Sequence, residues 1–260
     1  MTDRAQSSLV GRALLVTGAS SGIGRAIALA AARAGADVAV TYRVNREGAR
    51  DVGRAIAALG RRTAVLELDL TDSRSLDEVG PAALAALGRL DGWVNNAGAD
   101  ILTGSGAVLS DVEKMDQLLR VDLRGTILAS WSAADLLGAQ PDGGVIINMS
   151  WDHVLTGMSG INPQLFAAVK GGVLAFSKSL ARTVAPRVRV NVLAPGWTET
   201  SFGTTLAKGD EQAHRAIADA TPLRRWGTPD DVAGAAVFLA SPAASFMTGQ
   251  TMLVGGGVVM

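Results

Sequence analysis

The chain has 260 residues, 48% of them hydrophobic, with 24 basic and 24 acidic side chains and no formal net charge. That is ample material for a large core, and the charge balance gives no electrostatic pull toward nucleic acid or an anionic membrane surface; a small neutral or anionic ligand fits better. With no cysteine, disulfides and thiolate metal sites are excluded, and thiol chemistry names no compartment.

Residues 1–12 (MTDRAQSSLVGR) are polar and lack the apolar stretch of a secretion signal. No later stretch is long and uncharged enough to span a bilayer, so a soluble cytoplasmic protein is expected. Strand-length apolar runs then follow at 13–17, 37–42, 63–68, 92–95, 145–149, 188–193 and 251–254, separated by helical patterns at 22–34, 47–59, 73–87, 111–137, 164–185 and 229–240. This alternation predicts an α/β fold with one doubly wound parallel sheet of about seven strands and helices on both faces. Nearly continuous apolar strands agree, because a parallel strand is buried on both sides. No repeat or linker divides the chain, so a single domain over 1–260, with its core at 11–257, is expected. The irregular stretch 196–209 is read either as a mobile lid over substrate or as a plain surface connection.

The first strand runs into Gly18, Ala19, Ser20, Ser21, Gly22, Ile23 and Gly24, and then into a helix. Glycines there allow a tight turn and close backbone approach to a pyrophosphate, whose charge meets the amides and dipole of the helix N-terminus. The second strand ends in Tyr42-Arg43, where an acidic residue would hold a ribose 2′-hydroxyl. Arginine suits a 2′-phosphate instead, which favours NADP(H) over NAD(H).

The turn TGASSGIG resembles the fingerprint of the short-chain dehydrogenase/reductase family, and the likeness to its 3-oxoacyl-carrier-protein-reductase-like members runs from about Gly11 to Gly257. The resemblance implies a Rossmann fold, a small-molecule substrate and assembly as a homodimer or homotetramer through the helices at 111–137 and 164–185 and the last strand. It also implies that Asp69 and Leu70 contact adenine, and it matches Asn95-Asn96-Ala97-Gly98 to the family's NNAG motif. Pro195, Gly196, Thr198 and Thr200 match the segment that holds the nicotinamide carboxamide and a phosphate, and Gly255 replaces the usual acidic residue before a glycine pair.

The family's catalytic tetrad is Asn, Ser, Tyr and Lys, and this chain departs from it. Phe166 stands where the tyrosine of the YxxxK motif would be, while Lys170 is kept. The tyrosine works because the lysine lowers its pKa, letting it pass a proton to or from substrate oxygen, and a phenyl ring can do neither. Asp122 stands where the asparagine would be, and Trp151 where the carbonyl-polarising serine would be. The interval to Phe166 is longer than usual, so Ser150, Asp152 and His153 are candidates for the vacated space. Of the family lysine's two roles, holding the nicotinamide ribose is the one that survives for Lys170.

Three readings follow. Asp152, His153 or Asp122 replaces the phenol; or the substrate is a C=N, C=C or unusual carbonyl group, with Asp122 or Asp152 stabilising an iminium cation; or the chain is an inactive, NADP(H)-binding sensor or assembly partner. No metal is expected, because the only histidines, His153 and His214, have no partner at ligand spacing.

Overall fold

The computed structural model describes residues 8–260; most of the polar N-terminal segment read above, residues 1–7, lies outside the described residues. Strands are β1 (Ala13–Val16), β2 (Asp37–Tyr42), β3 (Thr63–Glu67), β4 (Gly92–Asn95), β5 (Gly144–Met149), β6 (Val188–Pro195) and β7 (Thr251–Val254). They form one seven-stranded sheet in the order β3-β2-β1-β4-β5-β6-β7, with every pairing parallel. Strand order reverses between β1 and β4, which opens a crevice at the carboxyl ends of these strands, where such sheets take their ligands.

Side-chain alternation along the strands builds two cores. Leu14 and Val16 of β1 face α1 (Gly22–Arg33), α2 (Arg46–Ala58) and α10 (Pro229–Ala240), in a layer with Ile27, Ile56 and Val232. Ala13 and Leu15 face the opposite layer, formed by α3 (Ser73–Leu87), α6 (Thr126–Gly138) and α7 (Ile161–Val184), with Leu76, Leu137 and Leu180. Burial on both faces is why these strands carry no polar alternation.

A polar knot is buried where β4 and β5 approach the crevice. Asn95 Nδ2 donates to Asn148 Oδ1 (2.8 Å) and to Ser130 Oγ on α6 (3.0 Å), and Asn148 Nδ2 donates to Ser177 Oγ on α7 (2.9 Å). The indole N–H of the fully buried Trp93 donates to Asn95 Oδ1 at 2.8 Å. Bonded groups of this kind fix the rotation of α6 and α7 against the strand ends, since slippage would strand buried donors.

The expected helix at 111–137 is interrupted. An α-helical turn with a Ser110–Glu113 capping box, α5 (Asp111–Leu118), leads into a π-helical stretch (Leu119–Gly125) before α6. The wider stretch carries Asp122 inward, 2% exposed, where its Oδ1 accepts the Ala99 N–H at 2.7 Å. A short helix, α4 (Gly104–Ala107), precedes α5. The stretch 196–209, expected to be irregular, contains α8 (Ser201–Gly209), and no helical pattern is read from the sequence where α9 (Glu211–Ala220) forms. Gly203 and the threonine pair of α8 have weak helix propensity, so packing rather than local preference makes that helix.

Candidate active site

Two adjoining cavities open at the carboxyl end of the sheet. The first, about 440 Å³, is lined by Gly18, Ser20, Ser21, Ile23, Gly24, Arg43, Asp69, Leu70, Asn96, Ala97, Gly98 and Thr200. These are twelve of the seventeen residues expected at the dinucleotide; Lys170, Pro195, Gly196 and Thr198 line the second cavity instead, and Gly22, with φ 54°, opens α1 without lining either. Two glycines are sterically required. A Cβ on Gly18 (φ +63°) would meet Ala97 Cα at 2.8 Å, and one on Gly24 would collide with the Asn96 amide and the Gly18 carbonyl. Asn96 Nδ2 donates to the Thr17 and Gly18 carbonyls at 2.9 and 3.2 Å, while Thr17 Oγ1 accepts the Asn96 and Ala97 amides. The NNAG segment thus acts as a splint for the turn. Ser21 caps α1 without a side-chain bond, which leaves the first amides of that helix free for an anion.

Arg43 is exposed at the end of β2, at the cavity rim. Burial raises the carboxyl pKa of Asp69, but the Thr71 amide and hydroxyl at 2.8 Å and the charges of Arg43 and Arg120 outweigh it and hold the group below the ordinary range. A nicotinamide dinucleotide fits this cleft, with its close-approach glycines and the free amides of α1, and Arg43 stands at the rim.

The second cavity, about 490 Å³, shares Ile23, Asn96 and Thr200 with the first. Its walls are mostly apolar and aromatic, including Trp151, Phe166, Trp197, Phe202 and Trp226, with Lys170, Ser150, Pro195, Gly196 and Thr198 also present. Phe166 and Lys170 lie one turn apart on α7, so the position of the missing phenol faces this space. Lys170 Nζ is 2.8 Å from Asp122 Oδ2, with the two side chains 14% and 2% exposed. Ser150 Oγ donates to the Lys170 carbonyl at 2.9 Å, so its hydroxyl proton ties β5 to α7.

Asp152 and His153, expected to line the pocket, are absent from both sets of lining residues. The Asp152 carboxylate is fully buried between Gly196 and Gly255, where a Cβ on Gly196 would stand 2.5 Å from Oδ2 and one on Gly255 would collide with it. Oδ1 accepts the His153 N–H at 2.7 Å and lies 2.6 Å from His153 Nδ1, while Oδ2 has no partner. Burial pushes the Asp152 carboxyl pKa up against the lowering effect of its bonds to His153. His153 stacks on Trp151 (centroids 4.8 Å apart, planes at 20°) and meets Trp197 edge-on at 6.0 Å. The pair therefore sits one ring away from the cavity, holding two of its walls.

The far wall is not foreseen from the sequence. Trp226 stacks on His214 (4.7 Å, 7°), packs against Trp197 at 5.6 Å and donates its indole N–H to the His214 carbonyl at 2.9 Å. His214 Nε2 lies 2.6 Å from Glu199 Oε1, joining α9 to the segment between Thr198 and Thr200. The one signal the chain offers is the recurrence of tryptophan across the segments 197–202 and 214–226.

The family model described as enoyl-(acyl carrier protein) reductase matches residues 18–259. A 3-oxoacyl-[acyl-carrier-protein] reductase of Vibrio cholerae is 37% identical over 255 residues, covering 97% of this chain and 99% of that protein. The chain belongs to the short-chain dehydrogenase/reductase family. It is thereby a member of an oxidoreductase family. A 3β-hydroxysteroid dehydrogenase of Eggerthella lenta is 35% identical, over 97% of this chain and 95% of its own. Among solved structures, a 7α-hydroxysteroid dehydrogenase complexed with NADH and 7-oxo glycochenodeoxycholic acid superposes with a TM-score of 0.87 at 30% identity, covering 100% of this chain and 98% of that one.

Proposed function

We infer that the protein is an NADP(H)-dependent reductase whose acid/base site is rearranged around Lys170 and Asp122, acting on a flat, neutral substrate with a conjugated carbonyl or C=C group. The observation that carries this is the polarity of the second cavity. Lys170 is the only titratable side chain among its lining residues, and it is set in a mostly apolar wall that includes five aromatic rings. An iminium substrate would meet that ammonium, while Asp122 is already paired with Lys170 and Asp152 is enclosed behind Gly196 and Gly255. Carbonyl and enone substrates instead develop negative charge on oxygen, which a nearby ammonium stabilises.

Gly18, Ser20, Ser21, Ile23, Gly24, Asn96, Ala97, Gly98 and Thr200 would hold the dinucleotide, with Arg43 at the 2′-phosphate, Asp69 and Leu70 beside adenine, and Pro195, Gly196 and Thr198 beside the nicotinamide. The bound cofactor supplies a hydride equivalent. Trp151 and Phe166, meeting edge-on with centroids 6.3 Å apart, form one wall for the substrate ring. Asp152 and His153 are positioning residues for Trp151 and Trp197. Ser150 holds the strand end against the Lys170 carbonyl.

A homodimer or homotetramer in the cytoplasm belongs to the same reading. It is supported by exposed Val112, Met115 and Leu119 and the half-exposed Trp131 along the α5–α6 face, and by the absence, among the described residues, of any helix able to cross a membrane. Fluorescence titration with NADPH and NADH tests the cofactor. NADPH should bind more tightly, and Arg43→Ala should remove about 1–2 kcal/mol of that preference, as expected for a charge-assisted contact. Equal affinity for the two nucleotides, unchanged in the variant, would refute the assignment.

A further inference from the structure

The geometry points to the Lys170 ammonium as the proton donor to the substrate oxygen, held in place by Asp122 in the room that Phe166 leaves. This rests on the reductase reading above and deepens it. Two departures, Phe166 and Asp122, meet around the retained Lys170. Phe166 presents no hydroxyl, Lys170 lies four residues on along the same face, and Asp122 grips Nζ at 2.8 Å from the π-helical stretch. Asp122 is itself fixed by the Ala99 amide at 2.7 Å, so the ammonium is tethered on one side, and of its two other N–H groups one can meet the nicotinamide ribose and the other the substrate oxygen.

Three other donors lining the cavity are already used. Ser150 Oγ donates to the Lys170 carbonyl, Asn96 Nδ2 to the Thr17 and Gly18 carbonyls, and Thr198 Oγ1 to the Gly196 carbonyl at 3.1 Å. Trp151, Trp197, Asn162 and Thr200 have N–H or O–H groups but do not titrate in the working range. The Lys170 ammonium places a transferable proton and a hydrogen-bond donor beside the developing oxyanion, while Asp122 fixes its position.

The balance is that of a carbonyl reduction. The carbonyl carbon gains the hydride of a reduced nicotinamide, which is thereby oxidised, and the oxygen takes the electron pair of the C=O π bond together with the Nζ proton. Lys170, left as a neutral amine, regains a proton from water.

The test separates charge from proton transfer. With nucleotide-free protein and 4-nitrophenol as a flat oxyanion probe, the bound probe should ionise about one pH unit or more below the free probe, the equivalent of tenfold stabilisation of its anion. Lys170→Arg should keep that shift, and Lys170→Gln should abolish it. With NADPH and an aryl-conjugated ketone, Lys170→Arg should lose about 100-fold or more in kcat, because a guanidinium keeps the charge but gives up no proton. In that variant Phe166→Tyr should restore turnover by supplying a new acid. The proposal is overturned if the probe does not bind, if it ionises alike in wild type and Lys170→Gln, or if Lys170→Arg turns over at the wild-type rate. Failure of wild type to bind NADPH would instead defeat the reductase reading, which the nucleotide-free measurement does not involve.

Discussion

Truncating Asp122 removes the two bonds that define the centre. Its Oδ1 accepts the Ala99 amide at 2.7 Å and its Oδ2 meets Lys170 Nζ at 2.8 Å, with the carboxylate only 2% exposed. Breaking a buried ion pair from one side costs about 3–5 kcal/mol, because the surviving charge is left without a partner. Lys170 keeps 14% exposure and can lean toward water, which puts Asp122→Ala at the lower end for the pair. The orphaned Ala99 amide adds about 1–3 kcal/mol, and the two effects overlap because they share one side chain. A total of roughly 3–5 kcal/mol at about 2–4 °C per kcal/mol lowers the melting temperature by about 6–20 °C. A carboxamide in place of the carboxylate offers one acceptor oxygen where two are needed, so Asp122→Asn should fall between, at roughly 1–3 kcal/mol. Calorimetry on the purified variants orders them. The reasoning fails if Asp122→Ala melts with wild type, or if Asp122→Asn is as unstable as Asp122→Ala.

Gly255→Ala should destabilise by about 1–3 kcal/mol because the added methyl collides with the Asp152 carboxylate. Combining it with Asp152→Gly should recover part of that loss, and a strictly additive double variant in thermal melts would contradict the contact. Asp231 closes the capping box of α10 with Thr228 and bonds to Arg225, whose hydrogen bond leads the causes that hold its carboxyl well below the usual range. A depressed folded-state pKa means that its stabilisation is complete above about pH 4 and is lost as pH falls further. Asp231→Ala should therefore cost about 1 kcal/mol at pH 7 and less at acid pH, and a difference that grows on acidification would refute it.

The sheet and its helices are legible because apolar runs without polar alternation admit few other folds, and the turn from Gly18 to Gly24 is legible because its spacing follows directly from steric need. Phe166, Trp151 and Asp122 are identified by motif position, and all three lie at or beside the second cavity. The place of Asp152 is not legible. Its carboxylate lies between Gly196 and Gly255, residues distant in sequence that meet because β6 joins β5 to β7. In the sequence Gly255 is only a missing acid; in three dimensions its bare Cα is what admits the acid from Asp152. The ring cluster of Trp197, Phe202, His214 and Trp226 depends likewise on how α8 and α9 fold back, which no local periodicity encodes.

Steady-state NADPH oxidation by the unmodified protein, across flat conjugated carbonyls, simple aliphatic ketones and cyclic imines, bears most directly on a reductase that works without the tyrosine. Turnover of the conjugated carbonyls by wild type, with Phe166→Tyr extending activity to simple ketones, is the predicted result. NADPH binding without turnover of any substrate, and carbonyl reduction appearing only in Phe166→Tyr, would contradict it and identify a nucleotide-binding relative that has given up catalysis.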